Sequence, residues 1–418
     1  MLSGQGRAER SDAHAAWAPV TPTLPAAVLE AGRLRPAWAE VDLDAIQANA
    51  ELLVRTVAPS RLCAVVKAGA YGHGSVPVAR AALAGGATHL AVALVEEGRR
   101  LRDAGIEAPV LILSEPPAAA MNEVVASGLT PTIYTRAGLD AISAAARSGA
   151  PKGFAVHVKV DTGMHRVGAP PASAVALALE VGRRPELALE GFWTHFAVAD
   201  DLADPYTSGQ VADFEAAVAS LAAAGIRPPL LHAANSAGAI WHPAARFDLV
   251  RCGIALYGLA PAAELAGAGV AALLRPAMSL RARVSHTKTV KAGERLSYGL
   301  RYRLEEDSVI ATIPLGYADG VTRRLSSTGG QVLIRGRRCR LAGAVTMDQI
   351  LVDCGPGAEV AIGDEVVLLG RQGGEVIDAW EWAQRTDTIA WEVVCGVSGR
   401  VPRTYRGHLS ANSEGELG

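Results

Sequence analysis

The chain of 418 residues is 50% hydrophobic and only 5% aromatic, which excludes a disordered chain and supplies aliphatic cores for about two domains. Its 40 lysines and arginines against 42 aspartates and glutamates leave a formal charge of −2 with no basic block, so neither nucleic acid nor an anionic membrane is an evident partner and a small molecule is the default ligand. The five cysteines are odd in number, widely spaced and mostly set in apolar runs, which fits reduced, buried thiols and a cytoplasmic location better than disulfides or a metal site.

In chain order, residues 1–35 carry Arg7, Glu9, Arg10 and Asp12 where a signal peptide needs an apolar core, and their Ala- and Pro-rich composition predicts a flexible extension. No stretch reaches the roughly 18 continuous apolar residues of a membrane span. From Pro36 onward, short aliphatic runs alternate with Ala-rich segments of helical period. "LCAVVKA" predicts a strand ending near Lys67, "THLAVAL" one near Leu94, "APVLILS" one near Ser114 and "TPTIYT" one near Thr135. "FAVHVKVDTG", "LEGFWTHFA", "PLLHAANSAG" and "FDLVRCGIALYG" predict four more, ending near Asp161, His195, Asn235 and Gly253. Intervening segments such as "SVPVARAALAGGA" and "VEEGRRLRDAGI" return apolar residues every three or four positions and end in glycine, as helices do.

Eight such alternations predict an α/β fold, a closed TIM-type (β/α)8 barrel over residues 36–275. An open doubly wound sheet is the runner-up, but it would carry a dinucleotide glycine pattern after its first strand, and none stands there. Beyond Pro276 the texture changes to short strands with Gly-containing turns, "SVIATIPLGYADG" and "GQVLIRGRRCRLAG" among them, and few helical stretches. Residues 276–418 are therefore expected to form a mainly β C-terminal domain.

Reactive groups of parallel barrels collect at the C-terminal strand ends. Lys67 ends the first predicted strand, Lys159 and Arg166 flank the end of the fifth, His195 ends the sixth, Asn235 and Ser236 the seventh, and Arg251 and Gly253 the eighth. Taken singly, each has an ordinary structural reading: a solvated lysine cap, a satisfied structural histidine, an ion-paired arginine. Together at one rim they define a site. "NSAG" and "CGIALYG" follow strands seven and eight, where small residues let backbone N–H groups approach a phosphate. A lysine across the mouth from a phosphate site points to pyridoxal 5'-phosphate, whose aldehyde condenses with a lysine amine. In "AVVKAGAYGHG", the strand then places Lys67, Gly69 lets the chain turn, Tyr71 reaches the phosphate and "GHG" opens the next helix.

The motifs "AVVKAGAYGHG", "KVDTGMHRVG", "THFAVAD", "ANSAG", "VRCGIALYG", "LSYG", "IPLGYADG", "GAVTMDQ" and "GRVPR", in this order, resemble those of the pyridoxal-phosphate-dependent, barrel-type alanine racemases from about Trp38 to Tyr405. The resemblance implies interconversion of L- and D-alanine, supplying D-alanine for cell-wall peptidoglycan, with no metal. It implies that Lys67 holds the cofactor, that Tyr71, Ser236 and the amides of Gly253 and Ile254 bind its phosphate, and that Arg251 faces the pyridine nitrogen. A guanidinium there stays protonated and only donates, which limits how much carbanion charge the ring absorbs. Racemisation removes a proton from one face of Cα and returns it on the other. The resemblance gives one face to Lys67 and the other to Tyr298 of "LSYG", a tyrosine whose ordinary pKa near 10 calls for neighbouring cations, with Arg166 and a His195–Arg251 network as the suppliers.

The resemblance further implies a homodimer in which the second domain carries Tyr298 and Met347 into the partner's barrel mouth, the Met347 backbone N–H and Arg166 binding the substrate carboxylate. Lys159 matches a lysine that some members carry as a carbamate. Three positions depart from the pattern: Gly69 replaces a polar residue, Thr346 stands where many relatives have cysteine, and Gly399 where some have a phosphate-binding tyrosine, leaving Tyr405 as the alternative. Three other readings compete. A racemase of broader amino-acid specificity shares every motif; a non-enzymatic cofactor carrier resembles the barrel alone; a barrel-type decarboxylase sets a carboxylate where Arg251 stands.

Overall fold

The protein is described by a computed structural model that covers residues 34–409, so that of the extension expected over 1–35 all but Leu34 and Arg35 lie outside the described residues. Its first strand, β1 (Ala37–Asp42), does not join the barrel although the sequence boundary at 36 groups it there. It pairs antiparallel with β10 (Met278–Arg283) and parallel with β20 (Arg403–Arg406), two strands of the C-terminal sheet. Asp42 then caps the helix Leu43–Val57, its Oδ1 accepting the Ala45 N–H at 2.9 Å, and the chain crosses to the barrel.

Eight parallel strands follow: β2 (Arg61–Val65), β3 (His89–Val92), β4 (Val110–Ile112), β5 (Thr130–Ile133), β6 (Phe154–Lys159), β7 (Leu187–Trp193), β8 (Leu230–His232) and β9 (Leu249–Cys252). They pair in sequence order from β2 to β8, and β9 returns to β2. At the remaining seam, Arg251 N–H donates to Ala234 O and Asp248 N–H to Leu231 O, both at 2.9 Å. All eight predicted strands are present, and their near-continuous aliphatic runs reflect burial on both faces beneath a ring of helices. The predicted helices "SVPVARAALA" and "VEEGRRLRD" form at Ser75–Ala84 and Val95–Asp103.

The C-terminal sheet contains β10, β11 (His286–Val290), β14 (Ser308–Ile313), β15 (Gln331–Ile334), β16 (Arg337–Leu341), β17 (Ile350–Asp353), β18 (Glu365–Gln372) and β19 (Glu375–Ile377), with β1 and β20 on one edge. A separate ribbon, β12 (Arg295–Leu296) and β13 (Tyr302–Arg303), carries Tyr298 between its strands. Two helices absent from the sequence reading, Ala379–Thr386 and Ala390–Cys395, close this half of the chain. No helix among the described residues is long and apolar enough to cross a membrane.

Candidate active site

The segment after β2 explains the glycine-rich motif more fully than its glycines do. Ala68, Gly69, Ala70, Tyr71 and Gly72 take φ values of 52°, 60°, 55°, 53° and 80°, a complete left-handed turn immediately after Lys67. This conformation costs roughly 1–2 kcal/mol for each residue other than glycine, so Ala68, Ala70 and Tyr71 need tertiary support. Glu97 supplies it on one side, its carboxylate accepting from the N–H groups of Ala68 (2.5 Å), Ala93 (2.9 Å) and Leu94 (3.2 Å). On the other side Arg403, from the "RVPR" motif, donates to Gly72 O at 2.9 Å. The turn sets Lys67 and Tyr71 at the barrel mouth, on a cavity of about 480 Å³.

Arg166, His195, Ser236, Arg251, Gly253 and Ile254 line this same cavity, together with Lys159 and Asn235. Ser236 Oγ accepts from Gly253 N–H at 3.0 Å and Ala255 N–H at 3.3 Å, while Asn235 Oδ1 caps the helix Ser236–Trp241 by accepting from Gly238 N–H at 2.9 Å. A Cβ on Gly253 would collide with the Tyr71 hydroxyl, so glycine is what lets Tyr71, Ser236 and the amides after β9 share one corner. Burial raises the Tyr71 pKa, which keeps its hydroxyl a neutral hydrogen-bond donor.

Arg251 is buried, and no carboxylate among the described residues pairs with it. Its Nη2 donates to the carbonyls of Thr194 and Ala233, each at 2.9 Å, and to His195 Nδ1 at 3.1 Å; its Nη1 donates to His232 Nδ1 at 2.8 Å. The guanidinium lies 4.4 Å from the Trp193 ring centre. Because a guanidinium only donates, both histidines must present Nδ1 lone pairs, which assigns their protons to Nε2. His232 Nε2 then donates to His157 Nδ1 at 2.9 Å, and His157 Nε2 to Glu190 Oε2 at 3.0 Å. Burial, with Arg251 beside them, holds His195 and His232 far below the usual histidine range, so both are neutral. Arg251 falls to about 10, again mainly through burial, and remains charged at neutral pH.

Burial and then the neighbouring Arg166 lower the Lys67 pKa, partly opposed by Glu97, which increases the neutral, nucleophilic amine. Lys159, 4.5 Å from the Trp193 ring centre, is lowered to about 7 by burial, Arg251 and Arg166. The folded chain therefore releases that proton near pH 7, whereas an unfolded lysine keeps it to about 10.5. The unfolded state binds more protons between these values, so stability rises with pH there, by up to about 1.4 kcal/mol per unit. Denaturant unfolding of the apoprotein in CO2-free buffer from pH 7 to 9.5 should show a smaller slope for Lys159→Met than for the unaltered chain. Equal slopes would assign Lys159 an ordinary pKa.

Three predicted residues do not line this cavity. Tyr405 sits in β20 opposite Val41, and its hydroxyl fills the space a Cβ on Gly74 would take, outside the cavity lining. Tyr298 and Met347 are 75% and 52% exposed. They lie on adjoining loops: Ser297 Oγ donates to Ala344 O at 2.8 Å, and Tyr317 N–H and Ala318 N–H donate to Thr346 O and Met347 O at 2.9 and 3.1 Å. The sequence reading missed the His232–His157–Glu190 chain, as well as Trp391 and Cys395, which reach the cavity from the helix Ala390–Cys395. Alternating positions in "FAVHVK" and "LEGFW" held a signal for the first group, and the apolar spacing of Ala390, Val393 and Val394 ahead of Gly396 a signal for the second.

Residues 41–261 match the family described as alanine racemase, N-terminal domain, and residues 277–405 the family described as alanine racemase, C-terminal domain. A protein of Symbiobacterium thermophilum named alanine racemase is 49% identical over 379 residues, which are 90% of this chain and 99% of that protein. The crystal structure of alanine racemase from a D-cycloserine-producing Streptomyces lavendulae shares 39% identity and a TM-score of 0.84, covering 90% of this chain and 98% of its own. A histidine racemase from Leuconostoc mesenteroides shares 28% identity and a TM-score of 0.82, with coverage of 90% and 99%. With both halves matched in order across the lysine turn, the Arg251 network and the exposed Tyr298 loop, the chain belongs to the alanine racemase family.

Proposed function

We propose that the chain is a cytoplasmic racemase that interconverts L- and D-alanine with pyridoxal 5'-phosphate, acting as a homodimer whose sites are shared between subunits. Its working units are the segment 36–275, which holds the barrel after β1, and the C-terminal segment 276–418, each incomplete as a site without the other. The observation that carries this reading is the convergence of Lys67, the Tyr71–Ser236–Gly253 corner and a buried, donor-only Arg251 on one cavity.

The donor set fits the cofactor: Lys67 for its aldehyde, the Tyr71 hydroxyl and the amides after β9 for its phosphate, and Arg251 for its ring nitrogen. When bound, pyridoxal phosphate acidifies the Cα–H of an amino acid joined to it. The chain's residues do the rest. Lys67 Nζ, whose pKa burial and then Arg166 lower, exchanges the proton on one face of Cα. Tyr298 Oη of the partner subunit serves the opposite face. Arg251, held by two carbonyls and two neutral histidines, cannot surrender a proton at neutral pH, so it restrains charge delocalisation and with it side reactions such as transamination. Arg166, exposed at the rim, is available to the substrate carboxylate along with the Met347 amide.

A racemase of broader specificity is the second reading, favoured by the histidine racemase among the structural neighbours. Chiral chromatography of alanine, serine, lysine, arginine and histidine reactions separates the two. Alanine should exceed each of the others in kcat/KM by about tenfold or more, the scale at which side-chain size discriminates in a fitted pocket. Comparable values across the five would overturn the alanine assignment, and no turnover of any would overturn racemisation.

A further inference from the structure

We infer that His73 is a positioning residue for the cofactor, fastening the left-handed turn that joins Lys67 to Tyr71 so that the Schiff-base amine and the phosphate-binding hydroxyl keep a fixed spacing. The inference rests on the reading of the cavity as a pyridoxal phosphate site.

His73 is 1% exposed and lies two residues beyond Tyr71. Its Nδ1 stands 2.9 Å from Tyr71 O and 3.1 Å from Ala70 O. Carbonyls only accept, so Nδ1 carries the ring proton and forks it between two peptide groups of the turn. Burial depresses the ring's pKa to about 4, keeping this neutral tautomer across the physiological range. The turn's own backbone bonds, Gly72 N–H to Ala68 O (3.0 Å), His73 N–H to Ala70 O (3.0 Å) and Gly74 N–H to Gly69 O (2.7 Å), leave Tyr71 O to the imidazole.

A second fastening acts through rings. His73 packs on Tyr257 with ring centres 4.5 Å apart, and Tyr257 packs on Tyr71 at 4.7 Å. The Tyr257 hydroxyl donates to Val65 O at 2.8 Å, two residues before Lys67. The stack therefore spans the turn from the end of β2 to the residue beyond Tyr71. A backbone held at positive φ through two alanines and a tyrosine relaxes toward other conformations once its fastenings go, and such relaxation swings the Tyr71 hydroxyl away from Gly253. Nothing in this arrangement makes His73 touch cofactor or substrate; it acts through Tyr71 and Lys67.

The test is cofactor binding by apoprotein, read by quenching of intrinsic fluorescence and by growth of the lysine-bound absorbance band, without reliance on turnover. The unaltered chain is titrated first; no saturable pyridoxal phosphate binding there counts against the cofactor reading itself, not against His73. Asparagine places an N–H one bond from Cγ, as histidine does, and leucine has none. His73→Asn keeps the donor to Tyr71 O and leaves Tyr257 on Val65 O and Tyr71, losing only the ring contact, so it should bind pyridoxal phosphate within about threefold of the unaltered chain, and His73→Leu at least about tenfold more weakly, the loss typical of a residue that orients a ligand-holding group. His73→Gln, whose donor sits one methylene too far, should fall with leucine, so the Asn–Gln pair decides if the leucine chain does not fold. Apoprotein thermal midpoints for Asn and Gln should be alike while affinities differ. Leucine or glutamine binding as tightly as histidine, or asparagine failing as leucine does in a folded protein, would overturn the inference.

Discussion

Lys67→Ala is expected to abolish covalent cofactor attachment and to lower racemisation from either isomer by about 10⁴-fold or more, because one side chain supplies both the anchor and one proton transfer. Placement matters here more than residue type. Lys67 lies two residues beyond the end of β2 and opens a turn stiffened by Glu97, Arg403 and His73, so its amine is presented to the cavity with little freedom. Among the lysines of the described residues only Lys159 shares that cavity. It lies against Trp193 below the mouth, flanked by Arg251, and so provides the internal control. After reconstitution with pyridoxal phosphate, the unaltered chain and Lys159→Met should both show the visible band and be labelled at Lys67 when reduced with borohydride. Lys67→Ala should show neither, and a small alkylamine added to it should restore a fraction of turnover. A persisting band in Lys67→Ala, or reduced cofactor recovered on a Lys159 peptide, would place the anchor elsewhere.

The parts of this site that are legible in the sequence are those fixed by local pattern. Buried parallel strands announce themselves as aliphatic runs, and a polar residue closing each run marks the rim, so the pattern alone singles out Lys67, His195, Asn235 and Arg251. The parts that are not legible depend on what lies across the barrel or in the other half of the chain. Gly69 advertises a turn, but Ala68, Ala70 and Tyr71 disfavour the left-handed conformation they adopt, and Glu97, Arg403 and His73 hold them in it from distant segments or by burial. His157, Glu190 and His232 sit on three different strands, so the chain of hydrogen bonds joining them to Arg251 exists only once β6, β7 and β8 pair. The boundary at Pro36 groups β1 with the barrel, yet its strand partners are more than two hundred residues away, in the C-terminal half. The departure at Gly399 points to Tyr405 as a substitute, but the register of β20 against Val41 turns that tyrosine onto Gly74 instead.

A single chain leaves some of its large residues outside the cavity. Tyr298, Leu300, Tyr317 and Met347 are all exposed and gathered on adjoining loops of the C-terminal half, a pattern more in keeping with a covered surface than a solvated one. Ser297 and Leu300, flanking the tyrosine, are held at φ of 61° and 49°, so the loop presents Tyr298 outward by construction. Arg301 beside it is exposed, as is Asp200 at the cavity mouth, an opposite-charge match for a second copy. If that copy brings Tyr298 over the barrel mouth, the positive charge of Arg166 and Arg251 supplies what a catalytic tyrosine needs. Tyr298→Phe alone should then lose about 10²- to 10⁴-fold in racemisation, the range for removing a positioned acid–base group. It should also lose solvent exchange of the L-alanine Cα hydrogen more than that of D-alanine, since the two faces have different bases. Lys67→Ala and Tyr298→Phe chains, each inactive, can be dissociated, mixed in equal amounts and reassociated. Half the dimers formed at random are mixed, and each mixed dimer holds one site with both bases intact, so up to about a quarter of the original activity should return. Each variant reassociated with itself stays inactive. Mixed dimers that form, as shown by mass, yet recover nothing, or a verified monomer that racemises at the full rate, would mean that Tyr298 works within its own chain or not at all.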